Sequence, residues 1–372
     1  MTNWKALFGK SASAIEDHWD ELRNGFKQKL KLHDPVQILP YRTYGTARRL
    51  YIKGRVLEDK KIASAGDKDT ILNNLLNMYK RFESDEVKGA TIKVRLADEE
   101  HEVVTDKEGY FVLDLNPITP VINEQLWHPI PLELVHAPIP FDKNLQAMAE
   151  VMIPPPDAEY GIISDIDDTI IKTTATNLLA MSRTTFLNNA KTRLPFAGVA
   201  EFYNALQVGR NGKRNNPFFY VSSSEWNLYD YLQEFRRVHE LPHGIFLLNV
   251  LKRFKGLLKT GQNNHQTKFT RIVRIIEGFP KQRFVLLGDS SQHDPYIYEA
   301  VVKHFPKQIH AVYIRDVYAK NKDKVKDVLY KIEAAGVPCC FFGHSSEAIL
   351  HSKKIGLITE KDVIAQTELV TD

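Results

Sequence analysis

The chain has 372 residues, 43% hydrophobic and 26% charged, an ordinary globular composition at a length that predicts two domains. Fifty Lys and Arg against 46 Asp and Glu leave a formal charge of +4, too small to mark a dedicated nucleic-acid binder, so no nucleic-acid partner is expected. No run approaches the roughly 18 apolar residues of a membrane span, the first fifteen residues hold no signal core, and the two cysteines, Cys339 and Cys340, are adjacent, which suits neither an ordinary disulfide nor a metal site; a soluble protein of the reducing cytoplasm is expected.

Residues 1–34 place Trp4, Leu7, Phe8, Ile15, Trp19, Leu22, Phe26 and Leu30 at steps of mostly three and four, with charges of both signs between them. This predicts an amphipathic helical extension, packed on the protein's own surface rather than on a membrane because its polar face is not strongly basic. Over 35–150 the pattern changes to short β-type runs, such as 49–53, 91–95 and 110–113, separated by Asp, Gly and Lys turns. A small antiparallel β-sandwich-like domain is expected, with a hairpin turn at Asp106-Lys107-Glu108-Gly109 and a helix over 71–82. No chemistry is legible in it, and any protein partner it has is not specified. Pro154, Pro155 and Pro156 mark a stiff linker, since three prolines cannot sit inside a helix or central strand.

From 157 to 355 apolar runs at 160–163, 218–221, 245–248, 284–287 and 309–314 alternate with amphipathic stretches such as 226–238 and 269–276. Such alternation predicts an α/β domain with a doubly wound parallel sheet, followed by a tail over 356–372. Ligands of such sheets bind at the carboxyl ends of the strands, which makes the residues after each run the informative ones. The first run ends in Ser164-Asp165-Ile166-Asp167-Asp168-Thr169, the second in Ser222-Ser223-Ser224 and the fourth in Gly288-Asp289-Ser290-Ser291-Gln292-His293-Asp294. Carboxylates from two strand ends make a hard oxygen site for Mg²⁺ and repel one another without a cation. Lys268, read as opening the helix before the fourth run, supplies a fixed positive charge able to offset a phosphoryl group.

Asp-x-Asp-x-Thr after a strand, a Ser ending the next, a Lys at a helix start and Gly-Asp-x-x-x-x-Asp after a later strand resemble, in order, the four motifs of haloacid-dehalogenase-type phosphotransferases. More narrowly, Ile163 to Ile170, Pro195-Phe196-Ala197-Gly198-Val199, Phe218 to Ser224 and Leu287-Gly288-Asp289-Ser290 resemble the catalytic domain of the actin-patch-protein phosphatidate phosphatases, distant relatives of lipins. The resemblance covers roughly residues 159–314 and implies a phosphatase with a small cap, because 173–193 is too short for a large one. It implies that Asp165 is the nucleophile, forming an aspartyl-phosphate, and that Asp167 protonates the leaving alkoxide and then deprotonates water. It places Mg²⁺ on the carboxylates of Asp165 and Asp289 and the backbone carbonyl of Asp167. Ser222 and Lys268 are then the phosphate-binding pair, and Thr169, Asp168 and Asp294 support the site, Asp294 by orienting Lys268 or metal-bound water. The substrate it implies is phosphatidate, an anionic lipid at a membrane surface; a soluble phosphate ester, a phosphoprotein, or a non-catalytic adaptor are the alternatives.

Local patterns also carry simpler readings. Asp-x-Asp-Asp occurs in all-helical terpene cyclases, which the β-type runs here oppose. Ser222 with Glu225 matches a helix capping box. Gly288-Asp289-Ser290 has the look of a lipase-type nucleophile, yet no later Asp and His complete it. Over 251–259, Lys252, Arg253, Lys255 and Lys259 alternate with Leu251, Phe254, Leu257 and Leu258, either as an ordinary amphipathic segment or as a basic rim that engages anionic headgroups. The second reading would make the protein peripheral at membranes.

Overall fold

The computed structural model describes residues 35–58, 86–121, 125–166, 195–226, 229–249, 263–291 and 293–359. The helix expected over 1–34, that expected over 71–82, the cap segment 173–193, the basic stretch 251–259 and most of the tail expected over 356–372 lie outside the described residues.

The first region contains β1 (Val36–Tyr41), β2 (Thr43–Thr46), β3 (Arg49–Glu58), β4 (Thr91–Leu96), β5 (Glu99–Val104), β6 (Tyr110–Leu115), β7 (Trp127–His136) and β8 (Gln146–Met152). They form one sheet in the order β1-β3-β2-β8-β7-β4-β5, with β6 on β3. Pairing is antiparallel except between β2 and β8, which run parallel. Leu50, Ile52 and Val56 of β3 share a core with Ile92 and Val94 of β4, Leu132 of β7 and Val151 of β8, so the two arms of the sheet close on a common apolar interior. The expected turn forms: the Asp106 carboxylate accepts the backbone N–H of Glu108 and of Tyr110, each at 2.9 Å, while Gly109 takes the left-handed φ of 74°. It is not a hairpin, however. β5 pairs with β4 and β6 with β3, so the turn carries the chain from one arm to the other.

The second region is built on β9 (Gly161–Asp165), β10 (Phe218–Glu225), β11 (Ile245–Asn249), β12 (Phe284–Asp289), β13 (Ile309–Arg315) and β14 (Cys339–Phe342). Their order is β11-β10-β9-β12-β13-β14 and every pairing is parallel. Helices α1 (Val199–Val208), α2 (Tyr229–Val238), α3 (Asn263–Gly278), α4 (Asp294–His304), α5 (Lys322–Ala334) and α6 (Ser345–Lys354) cover it. Because successive strand residues point to opposite faces, Ile162, Phe218 and Tyr220 pack with Phe202 of α1, Leu232 of α2 and Ala348 of α6. Ile163, Phe219 and Val221 pack with Ile272 of α3, Val301 of α4 and Val328 of α5. Both faces are thus helix-covered, the condition that makes these strands continuous apolar runs in sequence.

β14 holds the two cysteines. Both are free and half-buried, and burial pushes each thiol up to about 12, so they pack as small apolar groups. Leu357 and Ile358, at the head of the expected tail, are buried, and the Tyr160 hydroxyl donates to the Leu357 carbonyl at 2.9 Å.

The two regions share their cores. Leu126 and Met152 join the apolar layer of Phe219, and Tyr41 joins that of Tyr220. Trp127 stacks on His243 at 4.2 Å, Tyr44 meets Phe219 edge-on at 5.5 Å, and the Arg42 backbone N–H donates to the Tyr229 hydroxyl at 2.9 Å. Of the proline run, Pro155 is buried, Pro154 half-buried and Pro156 exposed.

Candidate active site

The register sets the site. Val221 lies beside Asp165, and Leu287 beside Ser164, so the carboxyl ends of β9, β10 and β12 emerge together at the middle of the sheet. Asp165 ends β9, Asp289 ends β12, and Ser222 sits one residue beyond the β10 partner of Asp165. Asp294 is the first residue of α4. Lys268 lies in the second turn of α3, which starts at Asn263; it does not open the helix as the sequence pattern suggested.

All five groups are removed from solvent: relative exposure is 1% for Asp165 and Asp294, 0% for Ser222 and Asp289, and 3% for Lys268. The Lys268 ammonium lies 2.7 Å from Asp165 Oδ1 and also pairs with Asp294 Oδ1. Asp294 Oδ2 accepts the Asp289 backbone N–H at 3.4 Å, and Asp289 Oδ1 accepts that of Ser291 at 2.6 Å. The approach of Asp294 demands glycine at 288, where a Cβ would fall 2.6 Å from Asp294 Oδ2 and 2.8 Å from the Tyr298 ring. Asp294, expected to support the site, does so by bridging Lys268 and the backbone of Asp289.

Burial opposes the charge on Lys268, but Asp165 and Asp294 outweigh it and hold the ammonium above the ordinary lysine range. Asp289 is pushed up to about 7 by burial and then by the Asp294 charge. Three carboxylates with one ammonium leave a buried negative excess among these groups. One oxygen of each of Asp165, Asp289 and Asp294 lies within 4.8 Å of the others, an all-oxygen donor set that fits a hard divalent cation.

Of the residues predicted from sequence, the structure brings together Asp165, Ser222, Lys268, Asp289 and Asp294. Asp167, Asp168 and Thr169 lie outside the described residues, which resume at Pro195. β10 continues to Glu225 and α2 begins at Tyr229, so Ser222 is a strand residue and caps no helix. Ser290 Oγ accepts the backbone N–H groups of Val317 and Tyr318 at 2.9 and 3.1 Å, bracing the loop after β13, which is a structural role and not a nucleophile's.

Two further cations escaped the sequence reading. Arg271, on α3, donates to the Ser222 carbonyl at 3.0 Å and so ties α3 to the end of β10. Arg315, beside Asp289 at the end of β13, is 2% exposed and stacked by Phe196 and Phe342 at 4.6 and 4.7 Å. It donates to Ser345 Oγ at 2.9 Å, and that hydroxyl donates to the Ala197 carbonyl at 2.8 Å, fixing the chain where it enters α1. Arg315 directly follows the fifth apolar run, so the strand-end rule was able to find it.

Residues 160–316 match the family model described as phosphatidate phosphatase APP1, catalytic domain. The chain is 35% identical over 156 residues to phosphatidate phosphatase APP1 of Saccharomyces cerevisiae, a stretch that is 42% of this chain and 25% of that protein. It is 28% identical over 222 residues to an uncharacterized protein of Schizosaccharomyces pombe, 59% of this chain and 35% of the other. Each alignment thus spans well under two thirds of the relative's length. A carbohydrate acetylesterase from Xanthomonas citri aligns over 86% of this chain and 74% of its own at 8% identity, with a TM-score of 0.30, too low to carry an argument. The matched segment is a relative of the catalytic domain of a phosphoric monoester hydrolase, and it contains every described residue of the buried cluster.

Proposed function

We propose that this chain is a Mg²⁺-dependent phosphomonoesterase of haloacid-dehalogenase type that converts phosphatidate to diacylglycerol and inorganic phosphate through an aspartyl-phosphate on Asp165. The observation that carries the reading is the buried cluster of Asp165, Asp289, Asp294 and Lys268 at adjoining strand ends, within the segment that matches a phosphatidate phosphatase catalytic domain.

The chemistry divides among the side chains. The Asp165 carboxylate, kept ionised and oriented by Lys268, attacks phosphorus, and the bond from phosphorus to the glycerol oxygen breaks. Asp167 gives its proton to the departing oxygen, then takes one from the water that attacks the aspartyl-phosphate and frees the Asp165 carboxylate. The Ser222 hydroxyl donates to a phosphoryl oxygen, and Lys268 offsets the charge spread over the others. Asp168 and Thr169 support the site. Mg²⁺ would be held by Asp165 and Asp289 with the Asp167 carbonyl, and when bound it supplies charge neutralisation at the phosphoryl oxygens. On this reading residues 157–355 are the phosphatase catalytic domain and 35–150 a β-sandwich-like domain packed against it. The protein works in the cytoplasm at phosphatidate-bearing membranes, where the basic stretch holding Lys252, Arg253, Lys255 and Lys259 serves as rim.

Phosphate release from phosphatidate vesicles and from sugar, nucleotide and peptide phosphates, with and without Mg²⁺, tests this. Mg²⁺-dependent release greatest on phosphatidate is expected. A preference for a soluble ester would move the substrate assignment, and release from none of them would favour a non-catalytic adaptor.

A further inference from the structure

We propose that Lys53, a residue of the first β region, is a positioning residue for the phosphate-binding end of β10, acting through Trp226. The inference rests on reading Ser222 as a phosphate ligand.

Lys53 lies on β3 and is only 9% exposed. Its ammonium sits 3.9 Å from the centre of the Trp226 ring, with the rings of Tyr110 and Tyr41 at 5.4 and 5.9 Å. It forms no ion pair with a carboxylate among the described residues; the rings are its close partners. An apolar side chain of equal length would fill this place without the cost of desolvating a charge, so the attraction between ammonium and aromatic faces is what makes a lysine tolerable here.

Trp226 ends the segment that begins with Ser222, and Tyr41 at 4.8 Å and Tyr229 at 5.7 Å pack against it. The segment is therefore held twice. Arg271 grips the Ser222 carbonyl at its start, and the first β region grips Trp226 at its finish. A phosphate-binding hydroxyl works only when placed to a fraction of an ångström, and a displacement of about 1 Å can cost roughly a hundredfold in rate. Lys53 thus makes the first region part of the site rather than a tethered module.

Burial lowers the Lys53 amine to about 8; Asp106, in the turn before β6, opposes this, and Arg271 of α3 adds to it. The other titratable groups facing it are the hydroxyls of Tyr41 and Tyr110. Above that pH the cation, and with it the hold on Trp226, is lost.

The test uses the full chain labelled with fluorotryptophan, the Trp226 resonance being assigned by its loss in Trp226→Phe, together with Lys53→Met and Lys53→Arg. Inorganic phosphate is the probe, titrated in Mg²⁺ by calorimetry. At neutral pH, Lys53→Met should shift the Trp226 resonance and weaken phosphate binding about tenfold, with Lys53→Arg restoring it to within about threefold. As the pH rises from about 7 to 9.5, passing the Lys53 value while Arg keeps its charge, the wild type should lose affinity relative to Lys53→Arg. Normal phosphate affinity in folded Lys53→Met would overturn the inference, as would a constant ratio of wild type to Lys53→Arg across that range. That ratio needs no Lys53→Met protein, so a variant that fails to fold leaves the test intact. A wild type that binds phosphate but hydrolyses no ester would sink the phosphatase reading alone, with Lys53 judged on binding; one that binds no phosphate would overturn both.

Discussion

Two polar clusters of opposite balance lie inside this molecule. At the ends of β9 and β12 three carboxylates, at most 1% exposed, share one ammonium. Where the two regions meet, Arg42 pairs with Glu150 at 2.6 Å and donates to Gln233 at 2.6 Å, Arg236 adds positive character around that same glutamate, and the His243 ring lies 3.7 Å from it. The junction is partly solvated, with side-chain exposures of 25% for Arg42 and 38% for Glu150. Ion pairs in such surroundings contribute little and are replaceable. The strand-end cluster is different in kind: a buried excess of negative charge opposes folding, and a cation bound among the carboxylates would offset it.

Breaking the cluster at its proposed nucleophile should give the largest effect. Asp165→Asn should lower kcat by about ten-thousandfold or more, since the carbonyl of an amide does not form the acyl-phosphate. Phosphate release by a protein with an unchanged circular dichroism spectrum is the measurement. Lys268→Met should follow, leaving Asp165 and Asp294 without their counter-charge and costing about 3–5 kcal/mol of stability in chemical denaturation. Wild-type stability after that change would mean that the carboxylates are not ionised together.

A smaller effect on stability is expected from the metal. Mg²⁺ at about a hundred times its Kd should stabilise the wild type by about 2.7 kcal/mol, read as a rise in Tm, and chelation should abolish turnover. In Asp289→Asn the rise in Tm should shrink markedly. An equal rise in both proteins would take Asp289 out of the metal site.

The junction should respond least. Glu150→Gln should cost no more than about 1 kcal/mol and leave turnover on a soluble ester unchanged. Its pH response has a definite sign. Burial, reinforced by Arg42 and Arg236, lowers His243 to about 4, so the folded protein prefers the neutral ring. Between the ordinary histidine value of about 6.5 and that lowered value the unfolded chain binds the extra proton, so stability falls as the pH falls through this window. His243→Gln should flatten that slope in denaturation curves taken across the window. An unaltered slope would assign it to other histidines, such as His310, which burial also lowers to about 4.

Strands β9 to β13 were legible because a parallel strand covered on both faces is apolar at nearly every position. β14 was not, since Cys339, Cys340 and Phe341 are only half-buried at the sheet edge and make a short, mixed run. Asp165, Ser222, Asp289 and Asp294 were legible from a single rule, that chemistry gathers where parallel strands end. Lys268 became legible by its order among them. The helix start was misplaced by a turn because the polar residues from Asn263 to Thr267 precede the periodic apolar face.

The amino-acid sequence by itself determined the alternation of strand and helix, the strand-end carboxylates and the order of the motifs, because these depend on neighbours a few residues apart and on the pattern of burial that a sheet imposes. Only the tertiary structure decided that β6 leaves β5 for β3, that Arg315 clasps the entrance of α1, and that Lys53 reaches from one region to Trp226 in the other. Those contacts join segments far apart along the chain, and each is selected by the complementarity of two surfaces that exist only once both regions have folded.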